Sequence, residues 1–322
     1  MKDGIARSFT VLDDEAGIRL DMYLAHTAGL SRTRVKDIIK DGSVFVNDTA
    51  HTKPSYPVVA GDHIEMTIPP VEEPDFHPEE IPLEIVYEDD HIIVVNKSAG
   101  MVVHPARGNI TGTLAAGLLY HSKSLAGVGE PLKPGIVHRL DKNTSGLLVA
   151  ALTGDAHSIL SQMVHERRVN RIYTVYVWGH PEPQSGTVDA PIGRHPQYRT
   201  LQAVMPGGRP SVTRYETVDR YEFTSKLRVT LVTGRTHQIR VHMASIGHHV
   251  FGDPTYGGRE KRLKGFSPEV REKARYLLKN FSRQALHAGY LAFNHPITGE
   301  SLSFEVPLPH DLMWLEEALE HQ

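Results

Sequence analysis

The chain of 322 residues carries 35 basic and 38 acidic side chains, 40% hydrophobic residues and no cysteine. A chain of this length can bury a full hydrophobic core in one or two domains. The absence of cysteine excludes disulfides, iron–sulfur clusters, thiolate zinc sites and cysteine nucleophiles. No stretch approaches the roughly 18 consecutive apolar residues that a membrane helix needs, and no apolar signal segment opens the sequence, so we expect a cytoplasmic protein without a membrane partner.

Charge is distributed unevenly along the chain. Residues 1–70 carry 8 basic and 10 acidic side chains, residues 71–90 carry 0 and 9, and residues 91–322 carry 27 and 19. The acidic, proline-rich segment 71–82 is typical of a solvated linker. The sequence therefore predicts a small domain over residues 1–70, a linker over 71–82 and a larger, basic domain over 83–322.

Two helices and a small sheet are predicted for the first domain, whose core spans residues 17–68. A short helix begins near Arg19, and Ser31 is the predicted N-cap of a second, strongly basic helix. Residues 44–47 and 61–68 have the β-branched or alternating pattern of strands.

The larger domain is predicted to contain many strands and few helices. Two strands lie within residues 83–97, a terminal hairpin covers 288–306, and further strands are expected directly after the polar loop that ends near residue 144 and over 171–179, 186–192, 211–218 and 226–233. Helices are predicted over residues 111–121, 155–168, 236–247 and 311–320, the third with Thr236 as its N-cap. This pattern favours an α+β fold with a mixed, mostly antiparallel sheet flanked by helices.

A polar loop, residues 135–144, leads directly into an apolar strand. Functional side chains held at the end of a rigid strand are common in catalytic sites, which makes Asp141 a candidate. The ordinary alternative is a local ion pair of Asp141 with Arg139 or Lys142.

A second polar segment, residues 233–242, places His237 and Arg240 on one side of the predicted helix, away from its apolar residues. His237, His242, His248 and His249 crowd together in sequence, but their spacing does not fit a metal site, so we expect hydrogen-bonded imidazoles and no metal. The glycine-rich residues 251–258 lack the spacing of a phosphate loop. They are predicted to form a rigid turn that supports the site, and no nucleotide cofactor is expected.

Residues 17–66 resemble the S4 RNA-binding domain through R-L-D at 19–21, Ser31-Arg32, and the later G-x-V-x-V-N and G-D pairs. The resemblance implies that Arg19, Ser31, Arg32 and Lys36 lie near an RNA backbone, where cations add salt-dependent affinity. The sequence differs from the common pattern at Asn47-Asp48, where Asn-Gly is more usual.

Five ordered motifs over the rest of the chain resemble the RluA/RluD-type pseudouridine synthase family, in the form that carries an N-terminal S4 domain. They are NKSAGMVVHPA, GIVHRLDKNTSGLLVAA, RIYTVYVWG, TGRTHQIRVHMASIGHHVFGDPTYGG and HAGYLAFNHPITGE. The resemblance implies that Asp141 is the catalytic aspartate, that Tyr173 stacks on the target base and that Arg240 pairs with Asp141. It also implies that Arg139 flips the base and that His138 lies beside the RNA.

The chemistry of this reaction suits those residues. Forming pseudouridine requires cleavage of a C–N glycosidic bond, rotation of the uracil, and bonding of C5 to the same sugar carbon, so neither redox chemistry nor a cofactor is expected. A carboxylate can attack or stabilise an electron-poor sugar, and a neighbouring cation keeps it ionised. The sequence leaves open whether Asp141 attacks the sugar or deprotonates it. The target uridine must also leave its stack before it can react.

The expected partner is therefore RNA, specifically 23S large-subunit ribosomal RNA, and the near-neutral net charge favours a monomer. One alternative is a non-catalytic RNA-binding or ribosome-assembly factor on the same scaffold. A third possibility, a metal-dependent hydrolase that uses the histidines, predicts loss of activity with a chelator.

Overall fold

The structure is a computed structural model that describes residues 4–69, 76–105, 109–198 and 200–321. Contacts divide the chain into two units, Met1–Pro74 and Asp75–Gln322. Each unit has its own hydrophobic core, and no described helix has both the length and the apolarity needed to cross a membrane.

The first unit contains two helices and a small antiparallel sheet. Its helices are α1 (Leu20–Thr27) and α2 (Arg32–Lys40), and its strands are β1 (Ile5–Thr10), β2 (Val44–Val46), β3 (Thr49–Ala50) and β4 (His63–Ile68), in the order β1-β4-β2-β3. The Ser31 hydroxyl accepts a hydrogen bond from the Arg34 amide, which confirms the predicted N-cap of α2. Strand β1 was not predicted, because this edge strand is largely exposed and lacks a regular apolar alternation.

The turn between β2 and β3 has an unusual backbone. Asn47 and Asp48 both have positive φ, 47° and 63°, a conformation that glycine adopts most easily. The Asn47 amide donates to Asp62 Oδ1 at 2.8 Å, and its oxygen accepts from the His63 amide at 2.8 Å. These bonds hold Asn47 in place, whereas no side-chain hydrogen bond described for this turn involves Asp48.

We expect Asp48→Gly to stabilise the first unit by about 0.5–1 kcal/mol, because glycine removes the strain of a left-handed backbone but adds freedom to the unfolded chain. Urea denaturation of the full chain, followed through the transition of the first unit, measures the effect. The matched variant Asn47→Gly should destabilise, since it removes both side-chain bonds. A loss of stability in Asp48→Gly would contradict the argument.

The described part of the second unit contains many strands and fewer helices. Its strands are β5 (Ile85–Glu88), β6 (Ile92–Lys97), β7 (Gly129–Glu130), β8 (Lys133–Pro134), β9 (Ser145–Ala151), β10 (Asn170–Trp178), β11 (Ser185–Asp189), β12 (Ile192–Arg194), β13 (Gln202–Val204), β14 (Val212–Arg220), β15 (Thr224–Leu231), β16 (Leu286–Asn294) and β17 (Ser301–Glu305). Its helices are α3 (Leu114–His121), α4 (Gly154–His165), α5 (Gln238–Ser245), α6 (Pro268–Asn280) and α7 (His310–Glu320).

Nine of the strands in the described part of this unit form one sheet in the order β11-β14-β15-β10-β16-β9-β6-β5, with β17 paired to β16. All of the strand pairs described in this sheet are antiparallel except β9 with β16, where Ser145 and Gly146 lie opposite His287 and Ala288. Gly146 has φ +117°, and a Cβ atom there would lie 2.2 Å from the Ala288 carbonyl oxygen. The predicted mixed, mostly antiparallel sheet flanked by helices is confirmed.

Two helices differ from the sequence prediction. Helix α5 begins at Gln238, and its N-cap is His237 in a left-handed conformation, so the prediction of Thr236 was wrong. The buried Gln238 side chain explains this start, because its Oε1 accepts from Thr233 Oγ1 and from the Arg235 amide and so closes the preceding turn. Helix α6 was not predicted, although Ser267 caps it and Pro268 follows.

Part of the predicted linker is packed on the second unit. Residues 71–75 lie outside the described residues. Phe76 packs against the core of the second unit, both Glu79 carboxylate oxygens accept from the Gly112 amide, and Ile81 lies against Gly117. The expectation of a solvated tether therefore needs correction for residues 76–82, where apolar side chains among the acidic residues provide the packing surface.

Candidate active site

Asp141 lies in the loop that leads into β9, a strand buried along its whole length. The Asp141 carbonyl accepts from the Thr144 amide at 3.0 Å, and the Lys142 carbonyl accepts from the Gly100 amide at 2.8 Å. The core strand and these backbone bonds hold the loop, so the Asp141 carboxylate has a defined position.

Lys97, at the end of β6, also binds the backbone of this loop. Its buried Nζ donates to the carbonyls of Ser98, Met101 and Lys142 at 2.8, 2.9 and 3.2 Å. Burial, together with the charge of Arg283, lowers the pKa of Lys97 to about 7, against the opposing effect of Asp141. No role was predicted for Lys97, although it lies in the NKSAGMVVHPA motif, because the sequence does not show that this lysine is buried.

Arg240 joins two carboxylates. Its Nη1 lies 3.0 Å from Asp141 Oδ2, while Nε and Nη2 lie 2.7 and 2.9 Å from the two oxygens of Asp253. Burial alone would lower the pKa of Arg240, but the hydrogen bonds and charges of Asp253 and Asp141 raise it. Asp253 is fully buried in the turn 251–258, which places this turn beside the site as a support.

The other oxygen of Asp141 faces His237. His237 Nε2 lies 3.9 Å from Asp141 Oδ1, and its Nδ1 hydrogen-bonds the Tyr256 hydroxyl at 2.7 Å. Burial lowers the pKa of His237, which favours the neutral imidazole at neutral pH. Neither Arg139 nor Lys142 pairs with Asp141 among the described ion pairs, so the local-pair alternative is not observed.

Tyr173 lies on β10 with its side chain in the main core and on the wall of the same cavity as Asp141. Burial raises the pKa of Tyr173. Tyr176 packs in a separate aromatic cluster with Trp178 and Phe251, so the two tyrosines occupy opposite faces of the sheet as their parity predicts.

The cavity has a volume of about 760 Å³ and a strongly basic lining. Asp141 is the one acidic residue among the described residues that line it. The cationic side chains around it are those of Lys133, Arg139, Arg167, Arg171, Arg209, Arg235 and Arg240. A polyanion is therefore the ligand that this cavity suits.

His138 and Arg139 differ in their surroundings. Arg139 is exposed at the cavity, with Nη1 3.4 Å from His104 Nε2. His138 is buried, and its Nε2 accepts a hydrogen bond from the Val149 amide at 3.2 Å. Burial, with the charge of Arg171, lowers the pKa of His138 to about 3, so its ring is neutral and supports the strand. An RNA contact by either residue stays a prediction.

We expect the free energy of unfolding to fall as the pH drops from about 6.5 towards 4, because the unfolded chain then binds protons that the folded chain excludes. Burial lowers the pKa of His138 to about 3 and that of His287 to about 4, below the ordinary histidine value in both cases. Each contributes at most about 1.4 kcal/mol per pH unit. Urea denaturation at several pH values measures the slope, and His138→Gln, which keeps an acceptor for Val149, should reduce it. An unchanged slope in that variant would contradict the assignment.

In the first unit, three cations surround one buried carboxylate. Arg19 Nε lies 3.0 Å from Asp21 Oδ1, while Arg32 Nε and Lys36 Nζ lie 3.0 and 3.6 Å from Oδ2. Burial would raise the pKa of Asp21, but the hydrogen bonds and charges of Arg19 and Arg32 lower it. The group keeps a net positive charge and presents three partly exposed cations on one surface. No role was predicted for Asp21 within its R-L-D motif. The Ser31 hydroxyl serves as the helix cap.

The histidines that suggested a metal site bind separate partners. His242 bonds Thr213 and the Ala190 carbonyl, His248 bonds the Trp178 carbonyl, and His249 bonds the Tyr256 carbonyl. Within the described ranges, no group of three or more histidine, aspartate or glutamate side chains is arranged to hold a metal ion.

Comparison with known proteins gives consistent matches for both units. The sequence profile of the RNA pseudouridylate synthase family matches residues 91–245, and that of the S4 domain matches residues 18–64. The chain is 43% identical over 320 residues to ribosomal large subunit pseudouridine synthase D of Vibrio parahaemolyticus, with 99% of this chain and 96% of that protein covered. It is 44% identical over 324 residues to the protein of the same name from Haemophilus influenzae, with 99% and 98% covered.

Among solved structures, human RNA pseudouridylate synthase domain containing 1 matches with a TM-score of 0.56 and 27% identity, over 74% of this chain and 89% of that one. The chain matches its relatives over nearly its whole length, it contains both family profiles in the same order, and it shares the fold of a solved family member. The chain belongs to the RNA pseudouridine synthase family, as a member with an N-terminal S4 domain.

Proposed function

We propose that this chain converts specific uridines to pseudouridine in 23S large-subunit ribosomal RNA. The observation that carries the proposal is the ion pair of Asp141 with the buried Arg240, inside a cavity whose other charged residues are cations. The names of the relatives from Vibrio parahaemolyticus and Haemophilus influenzae support ribosomal RNA as the substrate. We also propose that the reaction takes place in the cytoplasm and that the protein acts as a monomer.

The geometry of the cavity supports the following proposed roles. Asp141 acts at the sugar carbon of the flipped uridine, and Arg240 orients the Asp141 carboxylate through their 3.0 Å ion pair. Tyr173 stacks on the uracil from the cavity wall, which contributes roughly 1–3 kcal/mol against the few kcal/mol that unstacking costs. The cations around Asp21 bind backbone phosphates and add affinity that falls with salt.

Arg139 is placed to occupy the space that the uridine leaves, because it is exposed at the cavity and lies two residues before Asp141. We expect Arg139→Ala to reduce the rate of modification of a folded RNA roughly tenfold or more, since the unstacked state loses its support. The rate on a short unstructured RNA containing the same uridine should change less. Parental rates on both substrates would remove Arg139 from this role.

The test of the proposed function is pseudouridine mapping by carbodiimide-stop sequencing of ribosomal RNA from cells that lack the gene. Loss of specific sites, with recovery when the parental gene is restored, is the expected result, and addition of EDTA to the purified protein should leave the activity unchanged. Persistence of every site would point instead to a non-catalytic RNA-binding or ribosome-assembly factor. The retained pairing of Asp141 with Arg240 disfavours that alternative.

A further inference from the structure

Arg171 is a buried cation that has no counterion among the described residues. Its side chain is about nine-tenths buried, and it lines the same cavity as Asp141 and Tyr173. Nε is buried without a hydrogen-bond partner, and no described carboxylate forms an ion pair with the guanidinium. Burial of an unpaired charge is unfavourable, and an arginine cannot lose its proton in compensation.

Packing holds the Arg171 guanidinium at the cavity wall. A Cβ atom on Gly234 would lie 3.1 and 3.2 Å from Nη1 and Nη2, so the guanidinium lies directly against this glycine. Arg171 and Tyr173 are two residues apart on β10 and therefore share one face of the sheet. Their Cα atoms are about 6.6 Å apart by strand geometry, and both side chains line the same cavity.

Resting on the function proposed above, we propose that Arg171 is the binding site for one phosphodiester of the RNA strand, next to the uridine that stacks on Tyr173. Arg240 already neutralises Asp141, so that carboxylate does not need Arg171. Before the reaction, the phosphates are the only charged groups of the RNA. A planar guanidinium suits two phosphate oxygens at once. When the RNA binds, its phosphate supplies the negative partner that Arg171 lacks and so offsets the energetic cost of burying this cation.

If Arg171 binds a phosphate, Arg171→Met should weaken RNA binding without destabilising the free protein. KM for the mapped RNA should rise roughly ten- to a hundredfold with little change in kcat, because a contact made equally before and during the reaction is lost. The melting temperature without RNA should stay the same or rise, because an unpaired buried charge is replaced by an apolar side chain. Arg171→Lys should recover part of the affinity.

Arg228→Met is the matched control. Arg228 lies on the neighbouring strand β15, is exposed, faces Glu216 and does not line the cavity. The same loss of one positive charge should leave KM within about twofold of the parent. A fall in melting temperature for Arg171→Met would overturn the proposal in favour of a structural role. A fall in kcat at constant KM would also overturn it, since the guanidinium would then act on the departing uracil.

Single methylphosphonate linkages placed around the target uridine identify the phosphate. One neutral linkage should weaken binding by the parent as much as Arg171→Met does, and should have no further effect in that variant. Additive losses at every linkage would overturn the proposal. Failure of the parent on the mapped RNA would overturn the proposed function, whereas a normal parent with an unaffected Arg171→Met would overturn only this inference. In either case, the melting temperatures of the parent and of Arg171→Met without RNA test whether the buried, unpaired cation destabilises the protein.

Discussion

Asp141→Asn should reduce pseudouridine formation by at least about 10⁴-fold, the scale of loss when the central group of a catalytic unit is removed. The amide has nearly the same volume but carries no negative charge and is a poor nucleophile and base. Mass spectrometry of nucleosides from an RNA incubated with purified variant or parent measures the rate.

Binding separates this effect from misfolding. Asp141 is partly exposed and Arg240 retains Asp253, so the variant should bind the RNA within a few-fold of the parent and melt at a similar temperature. Activity within tenfold of the parent would exclude Asp141 from the central role. Loss of both binding and fold would show that the carboxylate is needed for structure.

Asp253→Asn should lower the free energy of unfolding of the second unit by about 3 kcal/mol, because it breaks the buried pair that holds Arg240. The backbone amides of Thr255 and Tyr256 also lose a charged acceptor. Activity should fall roughly 10²-fold even where the protein is folded, since a small displacement of Arg240 shifts Asp141. Urea denaturation and steady-state kinetics on the same preparation measure both effects.

A double-mutant cycle with Arg240→Met tests the coupling. If Asp253 acts through Arg240, the double variant should be less destabilised than the sum of the two single variants. Exposed Asp219, which lies 4.0 Å from Lys226, provides the control, and Asp219→Asn should change stability by less than about 1 kcal/mol. Additive effects of Asp253 and Arg240 would contradict the proposed support.

Much of the fold was predictable because local signals agreed. The Ser31 hydroxyl caps α2, as expected for a serine just before a helical pattern, and an uninterrupted apolar run predicted β9. The opposite faces of Tyr173 and Tyr176 follow from strand parity alone. The motifs also predicted that Arg240 pairs with Asp141. The two residues are 99 positions apart, and their side chains lie 3.0 Å from each other.

The remainder depends on contacts that no local pattern encodes. The start of α5 was mispredicted because the Gln238 side chain closes the preceding turn by accepting from Thr233 Oγ1 and the Arg235 amide, contacts that no N-cap pattern shows. Asp21 and Asp253 lie within the quoted motifs, but the sequence does not show that they are buried. Tertiary packing places Asp21 against three cations and Asp253 against Arg240. Lys97 and Arg171 were missed as individual site residues for the same reason. Burial, rather than residue type, distinguishes them from the other lysines and arginines.

The position of β16 in the sheet has a consequence for the order of assembly during synthesis. This strand lies between β9, which follows the Asp141 loop, and β10, which carries Tyr173, and it pairs with both. Its residues begin at position 286, so a ribosome must translate most of the gene before the two halves of the sheet can join. Contacts this distant in sequence form slowly. The nascent chain can therefore fold its first unit early, but it has no complete catalytic centre until its last strands are made. The first unit is thus complete well before catalysis can begin.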